Sequence, residues 1–203
     1  AASNPLSSLP QLSSRSSATA KLYLHFNGHF QASWGSYSNA STPVFDQDGD
    51  PTTFSTGELG TISNVWARVS EDYAPFDIDV TTIAPGSLAN GVVAHIAIGG
   101  NYSDWFGDPA GGVAYIGGFY NSAPNVGYVF EESLGNGNAK YVAEAASHEA
   151  GHLFGLQHQA KWSGNTLVET YNSGGNGWAP IMGVAYSQDR TTWHSGTTGS
   201  GPS

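Results

Sequence analysis

The sequence predicts a mixed α/β fold: a twisted mixed sheet of about five strands with helices packed against it. Two features lead there. Apolar and aromatic residues alternate in several short segments, whereas two longer windows carry apolar residues at helical spacing. Their order along the chain is strand, helix, four strands, helix, and then a loop-rich tail. A length of 203 residues suits one domain, and 27 glycines with only 11% charged residues favour a loop-rich, partly β protein.

The first 20 residues are rich in Ser, Ala, Leu and Pro and read as a linker or tail. The domain then runs over residues 21–194, and 195–203 (SGTTGSGPS) reads as a second linker. Residues 21–28 (KLYLHFNG) alternate as a strand does. Ser55 and Glu58 have capping-box spacing, and Leu59, Ile62, Val65, Val69 and Tyr73 follow at helical intervals until Pro75. Residues 76–83, 92–98, 112–117 and 126–132 read as four strands. From 138 to 154 the apolar period is again helical.

Formal net charge is −10, from 16 acidic and 6 basic residues. Six scattered cations cannot track a phosphate backbone, so nucleic acid is not an expected partner. The absence of cysteine removes disulfides, thiolate ligands and a cysteine nucleophile. No apolar run approaches the length of a membrane span.

The chemistry concentrates in residues 148–158, HEAGHLFGLQH. On a helix, residues four apart differ by about 40° around the axis and about 6 Å along it, so His148 and His152 can reach one metal. Glu149 lies about 100° round from His148, close to the ion without being a ligand. His158 would lie about 15 Å from His148 on a continued helix. It joins the same ion only if the chain turns back, and Gly155 is the residue that permits this turn. Three histidines leave an open position on zinc, and a water there would give its proton to Glu149 during attack on a carbonyl.

With this pattern the chain resembles the metzincin peptidases. It is most similar to a cysteine-free bacterial relative of the reprolysin (adamalysin) branch. The resemblance covers roughly residues 21–194 and is strongest from 112 to 183. It implies one catalytic Zn²⁺, a sheet above the active-site helix, and a loop-rich C-terminal subdomain. It makes Met182, in APIMG, the Met-turn residue beneath the zinc ligands. It also implies an extended protein or peptide substrate pairing with the strand of Gly112, Val113, Ala114 and Tyr115. The chain departs from the branch in having no cysteine, in Gln159 after the third histidine, and in Val184 two residues after Met182. Tyr186 is the nearest tyrosine to that last position.

The expected function is therefore a zinc-dependent endopeptidase, the alternative being a catalytically silent zinc-containing adhesion or glycan-binding module. Asp46, Asp48 and Asp50, around Gly49, have the composition of a Ca²⁺ loop. His25, His29, His95 and His194 have no comparable spacing and read as structural or surface residues. A secreted, extracellular protein is expected, made as a longer precursor with a removable pro-segment and further domains.

Overall fold

The computed structural model of the chain describes residues 3–201; Ala1, Ala2, Pro202 and Ser203, at the tips of the two expected linkers, lie outside the described residues. In chain order the elements are β1 (Ser3–Pro5), β2 (Ala20–His25), β3 (Asn27–Trp34), β4 (Tyr37–Val44), β5 (Thr53–Ser55), α1 (Thr56–Asp72), β6 (Ile78–Thr81), β7 (Val93–Ile98), β8 (Gly112–Val113) and β9 (Val126–Val129). Then come α2 (Ala139–Leu153), β10 (Lys161–Ser163), β11 (Thr166–Glu169), β12 (Trp178–Pro180) and β13 (Arg190–Thr192).

The central sheet has five strands in the order β6-β2-β7-β9-β8. β6, β2, β7 and β9 run parallel to one another, and β8 pairs antiparallel with β9 at one edge. This is the expected mixed sheet. Both of its faces are covered, which is why every residue of β7 is buried. Leu22, Leu24, Val80, Ile96 and Ile98 meet Ile62, Val65 and Val69 of α1 and Val142, Ala145 and Ala146 of α2. Ala97, Val126 and Tyr128 pack on the other side against Trp34 and Ala40 of the β3–β4 hairpin. Each helix starts on a side-chain cap. Ser55 and Glu58 form the expected capping box, and Asn138 accepts from the backbone N–H groups of Lys140 and Tyr141.

Four expectations need correction. The hairpin of residues 27–44 was not foreseen; the strand read as 21–28 ends at His25, and β3 begins at Asn27. The strand expected over 112–117 stops at Val113. Beyond it, Gly117 and Phe119 donate N–H bonds to the carbonyls of His152 and Leu153, so this segment caps α2 rather than extending the sheet.

Residues 3–18 are not a free tail. Ser3–Pro5 pairs with β5, and Leu9 and Ala18 are buried. Ser14 exchanges hydrogen bonds with Val80, its N–H donating to the carbonyl (3.1 Å) and its Oγ accepting from the N–H (2.9 Å). Asp79 accepts from Ser13 Oγ, the Arg15 N–H and Lys21 Nζ at 2.8–3.0 Å. The polar residues that resembled a linker thus complete the hydrogen bonding of the β6 edge. The C-terminal stretch is likewise anchored: Ala160 N–H donates to Thr197 O at 2.8 Å, and Gln159 forms a bridge with Thr198.

Candidate active site

The cleft, about 510 Å³, lies between the β8 edge, the C-terminal half of α2 and the segment 181–186. Its walls include His148, Glu149, His152, His158, Gly112, Tyr171 and Tyr186. α2 carries His148 and His152 one turn apart, as their spacing predicts. At its end Gly155 has φ +99°. Its N–H donates to His152 O (2.8 Å), and the Leu156 N–H donates to Gly151 O (2.9 Å). This pair of bonds is the Schellman arrangement, which ends the helix and sends the chain back. His158 is thereby returned to His148 and His152: ring centroids are 4.7 Å apart for His148–His152, 5.1 Å for His148–His158 and 4.5 Å for His152–His158.

Hydrogen bonds from the far side of the rings decide what this cluster can hold. His148 Nδ1 lies 2.8 Å from Ile181 O, and His152 Nδ1 lies 2.8 Å from Leu156 O. A carbonyl only accepts, so each Nδ1 carries the proton and each Nε2 keeps its lone pair. The lone pair of His152 faces His158 Nε2 at 2.8 Å. One shared proton could satisfy that contact, but a divalent cation would satisfy all three rings. Burial, then the charge of neighbouring histidines, depresses His148 to about 3 and His158 to about 4. His152 is lowered by burial, opposed by the Leu156 carbonyl. The rings are therefore neutral at pH 7, as metal ligands must be. The residues fit zinc.

Residues 61–159 match the family model for metallo-peptidase family M12B, reprolysin-like. The match opens inside α1 and closes just past the third histidine, taking in β6 to β9 and the whole of α2. It supports a metallopeptidase of the metzincin kind, and the mixed sheet with its two helices is metzincin-like. No curated protein and no solved structure matches the chain.

Glu149 is 7% exposed, and burial raises its carboxyl to about 8. A divalent cation beside it would oppose that shift and favour the carboxylate. Gly112 gives it room, since a Cβ there would lie 2.7 Å from Glu149 Cγ and 2.8 Å from Tyr128 O. Met182 is buried beneath α2: a Cβ on Gly151 would meet its Sδ at 2.5 Å. The same turn supplies Ile181 O to His148, so it orients that ring as well as packing beneath α2.

Of the expected substrate strand, Gly112, Val113 and Ala114 line the cleft. Tyr115 does not; its ring packs on Trp34 at 4.4 Å, in the hairpin cluster. Two wall residues had no assigned role from the sequence. Tyr171 packs against His158 with ring centroids 4.1 Å apart and the planes tilted by 45°, and its hydroxyl is raised by burial and then by Glu149. Tyr186 is pushed up to about 12 by burial, then by Glu149 and Glu144. Both stay protonated and can donate hydrogen bonds into the cleft. Tyr171 lies on a loop, away from the motif spacing, so no sequence signal marked it.

The acidic loop assembles differently from expectation. Asp46 and Asp48 approach Glu58, not Asp50. Asp50 turns to the Thr52 and Thr53 hydroxyls, and Glu58 already accepts from the Gln47 and Ser55 N–H groups. Among the described residues, no helix is long and apolar enough to cross a membrane.

Proposed function

We propose that this chain is a zinc-dependent endopeptidase in which His148, His152 and His158 hold the metal and Glu149 is the general base. The observation that carries the reading is the convergence of three neutral rings beside a buried carboxylate, in a cleft bordered by a sheet edge. Zinc held by His148, His152 and His158 would supply Lewis acidity toward a water and toward the substrate carbonyl.

The chain's own residues do the rest. Glu149 accepts the water's proton as oxygen adds to the carbonyl carbon, then delivers it to the amine as the C–N bond breaks. Tyr171 and Tyr186 present hydroxyls to the same space. An extended peptide pairs with β8, where Gly112 lets it approach Glu149 closely. Calcium at Asp46 and Asp48, and export of the protein, belong to the same proposal. Melting of an EGTA-stripped sample with added calcium checks the first, and an export signal in the precursor gene checks the second.

The deciding experiment is Glu149→Ala. Turnover of a quenched peptide should fall by about 10²–10⁴-fold while zinc stays at the cleft. His152→Ala should lose that zinc and activity together. Ordinary turnover by Glu149→Ala would refute the mechanism. Wild-type protein that holds zinc but cleaves nothing across a broad peptide library would favour the silent adhesion or glycan-binding module.

A further inference from the structure

Three histidines outside the cleft also meet. His25 ends β2, His95 lies within β7, and His29 comes from β3 of the hairpin. Strand alternation brings them together. Leu22 and Leu24, like Ala94 and Ile96, belong to the core on the helix side. That leaves Tyr23, His25 and His95 on the opposite face, where Tyr23 packs on both histidine rings at 5.0 and 5.1 Å. His29 descends on them from the hairpin, its ring 4.7 Å from that of His95.

The geometry is close to that of the cleft cluster. A ligand nitrogen from each of the three residues lies within 4.8 Å of the others. Ring centroids are 5.1 Å apart for His25–His95 and 5.7 Å for His25–His29. Unlike the cleft cluster, no short motif imposes this arrangement. The members come from separate strands, His25 and His95 being 70 positions apart.

Packing alone does not account for it. His25 Nδ1 and His95 Nε2 are 3.0 Å apart and share one hydrogen bond. Among the described residues, His29 Nε2 and His95 Nδ1 are buried without a partner, and His95 is 1% exposed. Unpaired buried ring nitrogens carry a desolvation cost; a cation among the rings would offset it at His29 and would take one nitrogen of His95, the other carrying the proton. Burial first, and neighbouring histidine charge second, hold His25 at about 4 and His95 well below its ordinary value. The rings therefore offer lone pairs at neutral pH. His25 and His29 are only partly buried, so water can complete a coordination shell.

We infer that His25, His29 and His95 form a second metal site, which takes one late first-row divalent ion of the imidazole-seeking kind, zinc or copper(II), and ties the hairpin to the sheet. An all-nitrogen set does not suit calcium or magnesium, which take oxygen ligands. None of the three residues lines the cleft, so the site stands apart from the proposed peptidase chemistry. In a chain without disulfides it cross-links β2, β3 and β7.

The test uses the full chain, stripped with a chelator and reloaded with zinc alone and then copper(II) alone. Wild-type protein should hold two equivalents of zinc. His29→Ala and His152→Ala should each hold one, and the double variant none. Zinc should raise the melting temperature of His152→Ala but not that of the double variant. Copper(II) loaded alone should likewise occupy one His29-dependent equivalent, and failure of both ions to do so overturns the site. A single equivalent that His152→Ala removes and His29→Ala leaves would overturn the site. Loss of the cleft equivalent alone bears on the proposed function, not on this inference. Should His29→Ala fail to fold, wild-type crystals soaked in zinc decide the matter at the absorption edge. A peak among the three rings supports the site, and its absence there beside a peak in the cleft refutes it.

Discussion

Gly155→Val touches no ligand, yet it should damage the metal centre. Gly155 sits at φ +99°, where an L side chain is strained. Alanine in left-handed backbone costs about 1–2 kcal/mol, and a β-branched residue should cost about 2–3 kcal/mol. A Cβ there would also lie 2.6 Å from Tyr120 Oη, but Tyr120 is 65% exposed and its ring can swing away. The strain is therefore in the backbone and has two outlets. If the turn holds, the melting temperature falls, by about 2–4 °C per kcal/mol for a domain of this size. If the turn relaxes, Leu156 O leaves His152 Nδ1 and His158 leaves the cluster. Each 1.4 kcal/mol so released weakens zinc about tenfold, giving roughly a 30–100-fold loss for valine. Chelator competition for zinc and thermal melting, measured together, capture both outlets. Adding Tyr120→Ala should not rescue Gly155→Ala. A folded valine variant with wild-type affinity and melting temperature would refute the reasoning.

Gly112→Ala should lower turnover with zinc retained, because the new Cβ meets Glu149 Cγ and the Tyr128 carbonyl below 3 Å; kinetics and metal content check this. Met182→Ala should cost about 2–5 kcal/mol in denaturant melts, whereas Met182→Leu should cost less than about 1.5 kcal/mol and keep zinc. Glu131 is 1% exposed, and burial raises its carboxyl to about 8. Its folded pKa exceeds its unfolded one, so the native state keeps a proton that the unfolded chain releases, and stability falls as pH rises from about 4.5 to 8. Glu131→Gln should remove that slope and gain roughly 1–3 kcal/mol at pH 8 with little change near pH 4, as measured by urea melts across pH.

The elements legible in the sequence are those whose residues state their own geometry. α2 announces itself by its apolar period, and the two histidines four apart follow from it. Gly155 and His158 explain each other, and φ +99° is the conformation this reasoning requires. The hairpin of 27–44 was hidden because its strands are rich in Ser, Asn and Gly and bury little beyond Trp34, Ala40 and Thr42. The N-terminal segment misled for a related reason. Its serines serve as hydrogen-bond partners to an edge strand, which composition does not distinguish from solvation. His25, His29 and His95 meet through sheet register and the unforeseen hairpin, so their proximity could not be read from spacing. Tyr171 reaches His158 through a loop for the same reason.

The two margins of the central sheet differ in a way that governs assembly. Along β6 the chain lays its own residues 12–15, so a foreign strand finds those backbone groups taken. The opposite margin, β8, is two residues long. Copies of this molecule therefore cannot stack edge to edge into a continuous ribbon, because every such junction needs two open margins. A single extended guest at β8 remains possible, and its seat is too short to propagate. The protein can present an unpaired strand beside its cleft in concentrated solution without that strand becoming a seed for fibres.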